Sequence, residues 1–190
     1  MKLSDYVANK IAELGTKHVF MVTGGGAMHL NHSFGSHKEL ECIFNHHEQA
    51  CSIAAEAYYR LTNKLAVVNV TSGPGGTNAI TGVYGAFVDS IGMVVISGQV
   101  KWETTVRSTG LSLRQFGDQE LDIEELVKPI TKYCTMVINP DDIRYELEKA
   151  FYLSSAGRPG PCWLDIPLNV QGAQIDPASL RGFDSSEVDE

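Results

Sequence analysis

The sequence predicts an α/β domain: a doubly wound, three-layer α/β/α arrangement around about six parallel strands. Three observations lead there. Short apolar runs alternate with amphipathic or small-residue stretches along the chain. One run, Leu65-Ala66-Val67-Val68-Asn69-Val70, is apolar almost without a break, the pattern of a strand covered on both faces. That run and an earlier one, residues 18–22, both end in glycine-rich turns that open into helical stretches, as tight strand-to-helix connections require.

In chain order, Leu3, Val7, Ile11 and Leu14 recur at helical spacing, with Ser4 as the expected N-cap and Gly15 as the stop. Residues 18–22 read as a strand, followed by Thr23-Gly24-Gly25-Gly26 and a helix over 27–34. Residues 42–44 form the next short strand, and the alanine-rich stretch 50–59, free of glycine and proline, is helical. The strand 65–70 runs into Thr71-Ser72-Gly73-Pro74-Gly75-Gly76-Thr77-Asn78 and a helix over 79–88. A strand at 93–96 precedes an irregular stretch, 97–119, that reads as a long functional loop. A short helix at 120–127, a strand at 133–138, a helix from Asn139-Pro140-Asp141-Asp142 to about 155, and a strand at 162–166 closed by Pro167 complete the pattern. From Gln171 the apolar rhythm fades and 184–190 is acidic, so the domain is expected over 1–170 and a linker or tail over 171–190.

Composition narrows the function. Hydrophobic residues make up 43% of 190, enough for one domain with its own core. The net charge of −8 and the lack of any basic run exclude nucleic acid and anionic membranes as partners. They do not exclude a phosphorylated cofactor, because a glycine turn at a helix start binds phosphate without net positive charge. No apolar run approaches membrane-spanning length, and the N-terminus enters an amphipathic helix without a signal pattern. Cys42, Cys51, Cys134 and Cys162 form no CxxC pair, which predicts reduced thiols and a cytoplasmic protein.

The chemistry centres on Glu48. It stands where a strand hands over to a helix, at the carboxyl end where open α/β sheets bind ligands. A carboxyl group there is partly desolvated; the plainer alternative is a first-turn glutamate favoured by the helix dipole. The turns at 23–26 and 73–76 are expected at the same sheet edge, making a shared site. Neither matches the dinucleotide fingerprint, since the third glycine is missing after Gly73-x-Gly75, and no Gly-Lys pair exists for a P-loop. His29, His32, His37, His46 and His47 match no metal spacing and read as surface residues, so no metal ligands are assigned. Tyr58, Tyr59, Phe87 and Trp163 read as core or subunit contact, and no nucleophile elbow is present.

Six motifs occur in one order: His47-Glu48-Gln49-Ala50, the run from Thr71 to Asn78, Asp89-Ser90-Ile91, Ser97-Gly98-Gln99-Val100, the run from Gly157 to Pro161, and Asp165-Ile166-Pro167. Together with Gly24-Gly25 they cover about residues 1–170, and their order is similar to that of thiamine diphosphate enzymes. The chain most resembles the N-terminal pyrimidine-binding domain of the acetolactate synthase large subunit.

The resemblance implies a mechanism. Glu48 matches the glutamate that hydrogen-bonds N1′ of the cofactor's aminopyrimidine and promotes removal of the thiazolium C2 proton. The cofactor then attacks a 2-oxo acid and acts as electron sink after decarboxylation. Thr71, Pro74 and Asn78 fall where the family positions the pyrimidine, and Gly24 and Gly25 match its glycine pair near the reacting carbon. Val22-Thr23, His46 and Asp118-Gln119-Glu120 stand where acetolactate synthases carry Tyr-Pro, Arg and Phe-Gln-Glu, which leaves the 2-oxo acid and the product open.

The family binds magnesium and diphosphate through a Gly-Asp-Gly motif on a second domain, and this chain has none. The resemblance therefore implies half a site, inactive in the isolated chain, with a diphosphate-binding domain or subunit as partner and a homodimer or higher oligomer. A flavin (FAD) is compatible with the family but supported by no residue here. The alternatives weighed are a stand-alone subunit of a two-chain 2-oxo acid decarboxylase, a non-catalytic binding or assembly module, and a nucleotide-binding doubly wound protein. Retained Glu48 speaks against the non-catalytic module, and the absent fingerprint against the nucleotide-binding protein.

Overall fold

The computed structural model describes residues 1–188. Six strands, β1 (His18–Met21), β2 (Glu41–Phe44), β3 (Val67–Val70), β4 (Met93–Gln99), β5 (Tyr133–Met136) and β6 (Pro161–Pro167), form one sheet in the order β2-β1-β3-β4-β6-β5. Every pairing is parallel. Among the described residues eight α-helices accompany them: α1 (Leu3–Glu13), α2 (Met28–Ser36), α3 (Glu48–Thr62), α4 (Pro74–Val88), α5 (Val106–Thr109), α6 (Ile123–Val127), α7 (Ile143–Ser155) and α8 (Leu168–Gln171). The expected three-layer α/β architecture is present.

Successive strand residues point to opposite faces, so a strand covered on both sides must be apolar at every position. β3 shows this directly. Val67 belongs to the core on one face of the sheet, with Leu3, Val7, Leu30, Phe34, Ile143 and Leu147 from α1, α2 and α7. Val68 and Val70 pack with Cys51, Ala55, Ala79, Val83 and Ile123 from α3, α4 and α6. The small residues of α3 and α4 allow a close crossing. A Cβ on Gly82 would lie 2.3 Å from Ser52 Oγ, and that hydroxyl donates to Ala79 O at 2.9 Å. This crossing anchors the first turn of α3, which carries Glu48.

Several boundaries differ from expectation for physical reasons. Ser4 does not cap α1: Lys2 takes the N-cap position, and Ser4 is buried where α1 meets α2, its Oγ accepting from Ser33 Oγ at 2.9 Å. A tertiary partner outweighs the local cap. Helix α4 begins at Pro74, five residues before the expected 79, because Pro74 suits the first helical position and Gly73 turns into it at φ +56. Strand β4 continues through Ser97 and Gln99, in register with Asp165 and Pro167 of β6, since these polar side chains are satisfied internally. The expected long loop is therefore shorter and contains a 3-10 turn, Trp102–Thr104, and α5. The stretch expected as a linker or tail lies against the domain over much of its length. Ile175 N–H donates to Met1 O at 2.9 Å, and Ile175 and Leu180 join the core. The acidic end reaches Asp189 and Glu190, which lie outside the described residues.

No described helix is long and apolar enough to cross a membrane. The four cysteines are unpaired, and burial pushes the thiols of Cys51 and Cys162 up to about 11 and about 12.

Candidate functional site

From β1 the chain moves outward to β2, then returns past β1 to β3 and continues the other way to β4. The carboxyl ends of β1 and β3 thus flank a crevice where the winding reverses, the place open α/β sheets present to ligands. The glycine turn after β1 forms one wall. A Cβ on Gly24 would lie 2.5 Å from Thr71 Cβ, so only glycine fits beside Thr71. Gly26 N–H donates to Thr71 Oγ1 at 3.0 Å, which ties the turn to the end of β3.

The turn is also held from behind. Gln171 Nε2 donates to Gly26 O at 2.7 Å, and Asn31 Nδ2 donates to Gly24 O at 3.1 Å. Gly98 of β4 comes so near that a Cβ there would stand 2.1 Å from Gly26 O. A cleft of about 510 Å³ opens in front, lined among others by Gly24, Gly25, Thr71, Val100, Asp118 and Gln119.

Glu48 opens α3 after β2. His47 is the N-cap, its Nδ1 accepting from Gln49 N–H at 3.1 Å. A solvated first-turn glutamate would be exposed, yet Glu48 is only 9% exposed. Its Oε2 accepts from Asn78 Nδ2 of α4 at 2.9 Å. Its Oε1 accepts no hydrogen bond from the described residues and lies 3.6 Å from where a Cβ on Gly75 would be. That same Cβ would be 2.7 Å from Thr71 Cγ2. Gly75 therefore leaves room beside both the open carboxyl oxygen and Thr71. One oxygen tethered and one open is an arrangement that can engage a single nitrogen of a bound ring by accepting or donating a hydrogen bond. An aminopyrimidine fits these residues, because the glycine cradle at Gly75 leaves room beside the open oxygen of Glu48, which can meet a ring nitrogen.

Gly24, Gly25 and Thr71 line the cleft, while Asn78 binds Glu48 directly. Thr71 borders both groups. Pro74 is exposed at the first position of α4 and is not among the residues lining the cleft. His32, His46 and His47 are exposed, and no described group of three His, Cys, Asp or Glu residues could hold a metal ion. Reading along the chain missed Gln171, assigned to the tail, and Gly98, read as part of a loop. Only the packing of β4 and α8 behind the glycine turn reveals them.

An α/β domain with this site belongs to a known class of cofactor-binding domains. The chain is a member of the family described as thiamine pyrophosphate enzyme, N-terminal TPP binding domain, whose model matches residues 1–126. Among individual proteins it is similar to the acetolactate synthase large subunits of Buchnera aphidicola, 40% identical over 167 residues, and Corynebacterium glutamicum, 38% over 170. It is also 33% identical over 173 residues to the chloroplastic acetolactate synthase of Arabidopsis thaliana. These matches cover 88%, 90% and 90% of this chain but 28%, 26% and 24% of the relatives, so the chain spans about a quarter of their length.

Proposed function

We propose that this chain provides the pyrimidine half of a thiamine diphosphate site in an acetolactate synthase-like enzyme that decarboxylates a 2-oxo acid and transfers the remaining fragment to an acceptor. The observation that carries this reading is Glu48: buried, fixed by Asn78 through one oxygen, and open at the other beside Gly75. When bound, thiamine diphosphate supplies the electron sink for decarboxylation.

The chain's own residues do the rest. Glu48 hydrogen-bonds the ring nitrogen N1′ and shares a proton with it. Asn78 keeps the carboxyl group turned toward that atom. Thr71 would pack the pyrimidine, and Gly24 and Gly25, which line the cleft, would leave room for the cofactor there. Pro74 sets the start of α4 and so the position of Asn78.

Magnesium and the diphosphate belong, in this reading, to a second domain carrying a Gly-Asp-Gly motif. Isolated, the chain is half a site and inactive. The complete site forms in a homodimer or higher oligomer, in the cytoplasm. No step of the reading calls for a flavin.

Two measurements test it. In the full assembly, Glu48→Gln lowers turnover by about 100-fold or more, the scale of a lost proton-transfer group. Unchanged turnover would contradict the role. Calorimetry of this chain alone with thiamine diphosphate and magnesium gives weak or no binding, and tight binding would contradict the half-site.

A further inference from the structure

We propose that Gln99 and Asp165 are positioning residues that tie the cleft wall 117–122 to the sheet and thereby set how the 2-oxo acid fits against the glycine turn. The effect on the 2-oxo acid rests on the function proposed above; the tie itself does not.

Asp165 of β6 lies opposite Ser97 of β4, and Gln99 follows two residues on, on the same face. All three are at most 1% exposed. Asp165 Oδ1 accepts from Ser97 Oγ at 2.6 Å, and Ser97 Oγ accepts from Trp163 Nε1 at 2.8 Å. Asp165 Oδ2 accepts from Gln99 Nε2 at 3.0 Å. The same amide nitrogen donates to Leu121 O at 2.8 Å, and Gln99 Oε1 accepts from Val100 N–H at 3.0 Å. Asp165 therefore fixes the Gln99 amide, and the amide's second N–H reaches out of the sheet to the wall.

The wall behaves as a unit because Glu120 binds it internally. Its carboxylate accepts from Phe116 N–H at 3.1 Å, from Gly117 N–H at 3.2 Å, and from Val106 N–H. Asp118 and Gln119, between these anchors, line the same cleft as Gly24 and Gly25. Gln119 has φ +55, and its carbonyl oxygen would stand 2.2 Å from a Cβ on Gly73. Such a close approach is kept only if the wall is held in place, and the Gln99 bond to Leu121 holds it from the sheet. A buried carboxylate that merely fixed strand register would need no amide reaching across to a loop.

The test uses the full enzyme with hydrogen–deuterium exchange and steady-state kinetics. Gln99→Met removes the donor to Leu121 while filling the same space. It speeds amide exchange over 117–122 about tenfold, the scale of one lost buried hydrogen bond, and leaves exchange in β1 and β3 unchanged. KM for the 2-oxo acid rises about tenfold while kcat stays within about threefold. Asp165→Ala releases the Gln99 amide and speeds exchange over the same residues, and unchanged exchange there would remove Asp165 from the tie. If Gln99→Met does not fold, Gln99→Asn, one methylene shorter, takes its place.

Unchanged exchange over 117–122 would overturn the tie, as would equal loosening of β1 and β3. Faster exchange with an unchanged KM would overturn the effect on the 2-oxo acid. The exchange readout does not depend on Glu48, so a harmless Glu48→Gln would refute the proposed function and leave the tie to be judged by exchange.

Discussion

Two carboxyl groups sit at the carboxyl edge of the same sheet, and their surroundings divide their roles. Asp165 is fully buried. Both its oxygens are engaged from within the fold, and burial without a cation beside it raises its pKa to about 7. Glu48 is almost as buried, but only one of its oxygens is held; the other lies beside the glycine cradle. Burial and an unusual pKa therefore do not by themselves mark the reacting group in this domain. On the function proposed above, the mark is an open lone pair facing a space that glycine keeps clear, as at Glu48.

The largest expected effect would break this contrast if it failed. Glu48→Gln costs the assembled enzyme about 100-fold or more in turnover with little change in melting temperature, whereas Asp165→Ala is read chiefly as a loss of stability. Removing Asp165 strands the Ser97 hydroxyl and the Gln99 amide in the core, at a cost of about 2–4 kcal/mol in urea unfolding.

A pH series sharpens the comparison next. Asp165 holds its proton in the folded chain up to about pH 7, while in the unfolded chain it loses it near 3.8. Its contribution to stability is complete below about pH 4 and is lost as pH rises toward 7, at about 1.4 kcal/mol per unit. Asp165→Asn removes that slope, so the stability difference between variant and wild type changes steadily between pH 4 and 7 and is level above 7. The smallest effect is at Asn78. Asn78→Ala frees Glu48 Oε2 and costs about 1 kcal/mol, read as a modest loss of stability together with a larger loss of turnover.

Much of this was legible along the chain because it is local. Strand β3 is recognisable from consecutive apolar residues, since both its faces are covered. Glu48 is recognisable from its place between a short strand and an alanine-rich helix, and the glycine turns from their position after strands. The Asp165 cluster was not, because its partners Ser97 and Gln99 are 68 and 66 residues away and meet only through the pairing of β4 with β6. Read locally, Ser97 and Gln99 looked like the start of a loop, since polar residues end most strands. Gln171 was hidden for a related reason: its bond to Gly26 spans 145 residues, and no local pattern announces it. Ser4 shows the reverse error, a good local cap signal overruled by a contact between helices.

The most direct test of the central claim follows the proton that Glu48 is proposed to help move. In the assembled enzyme with thiamine diphosphate bound, exchange of the cofactor's C2 hydrogen for deuterium is measured by acid quench and proton NMR. The account predicts fast exchange in the wild type and exchange slowed by about 100-fold or more in Glu48→Gln, with the cofactor still bound. Equal rates in the two proteins would contradict it.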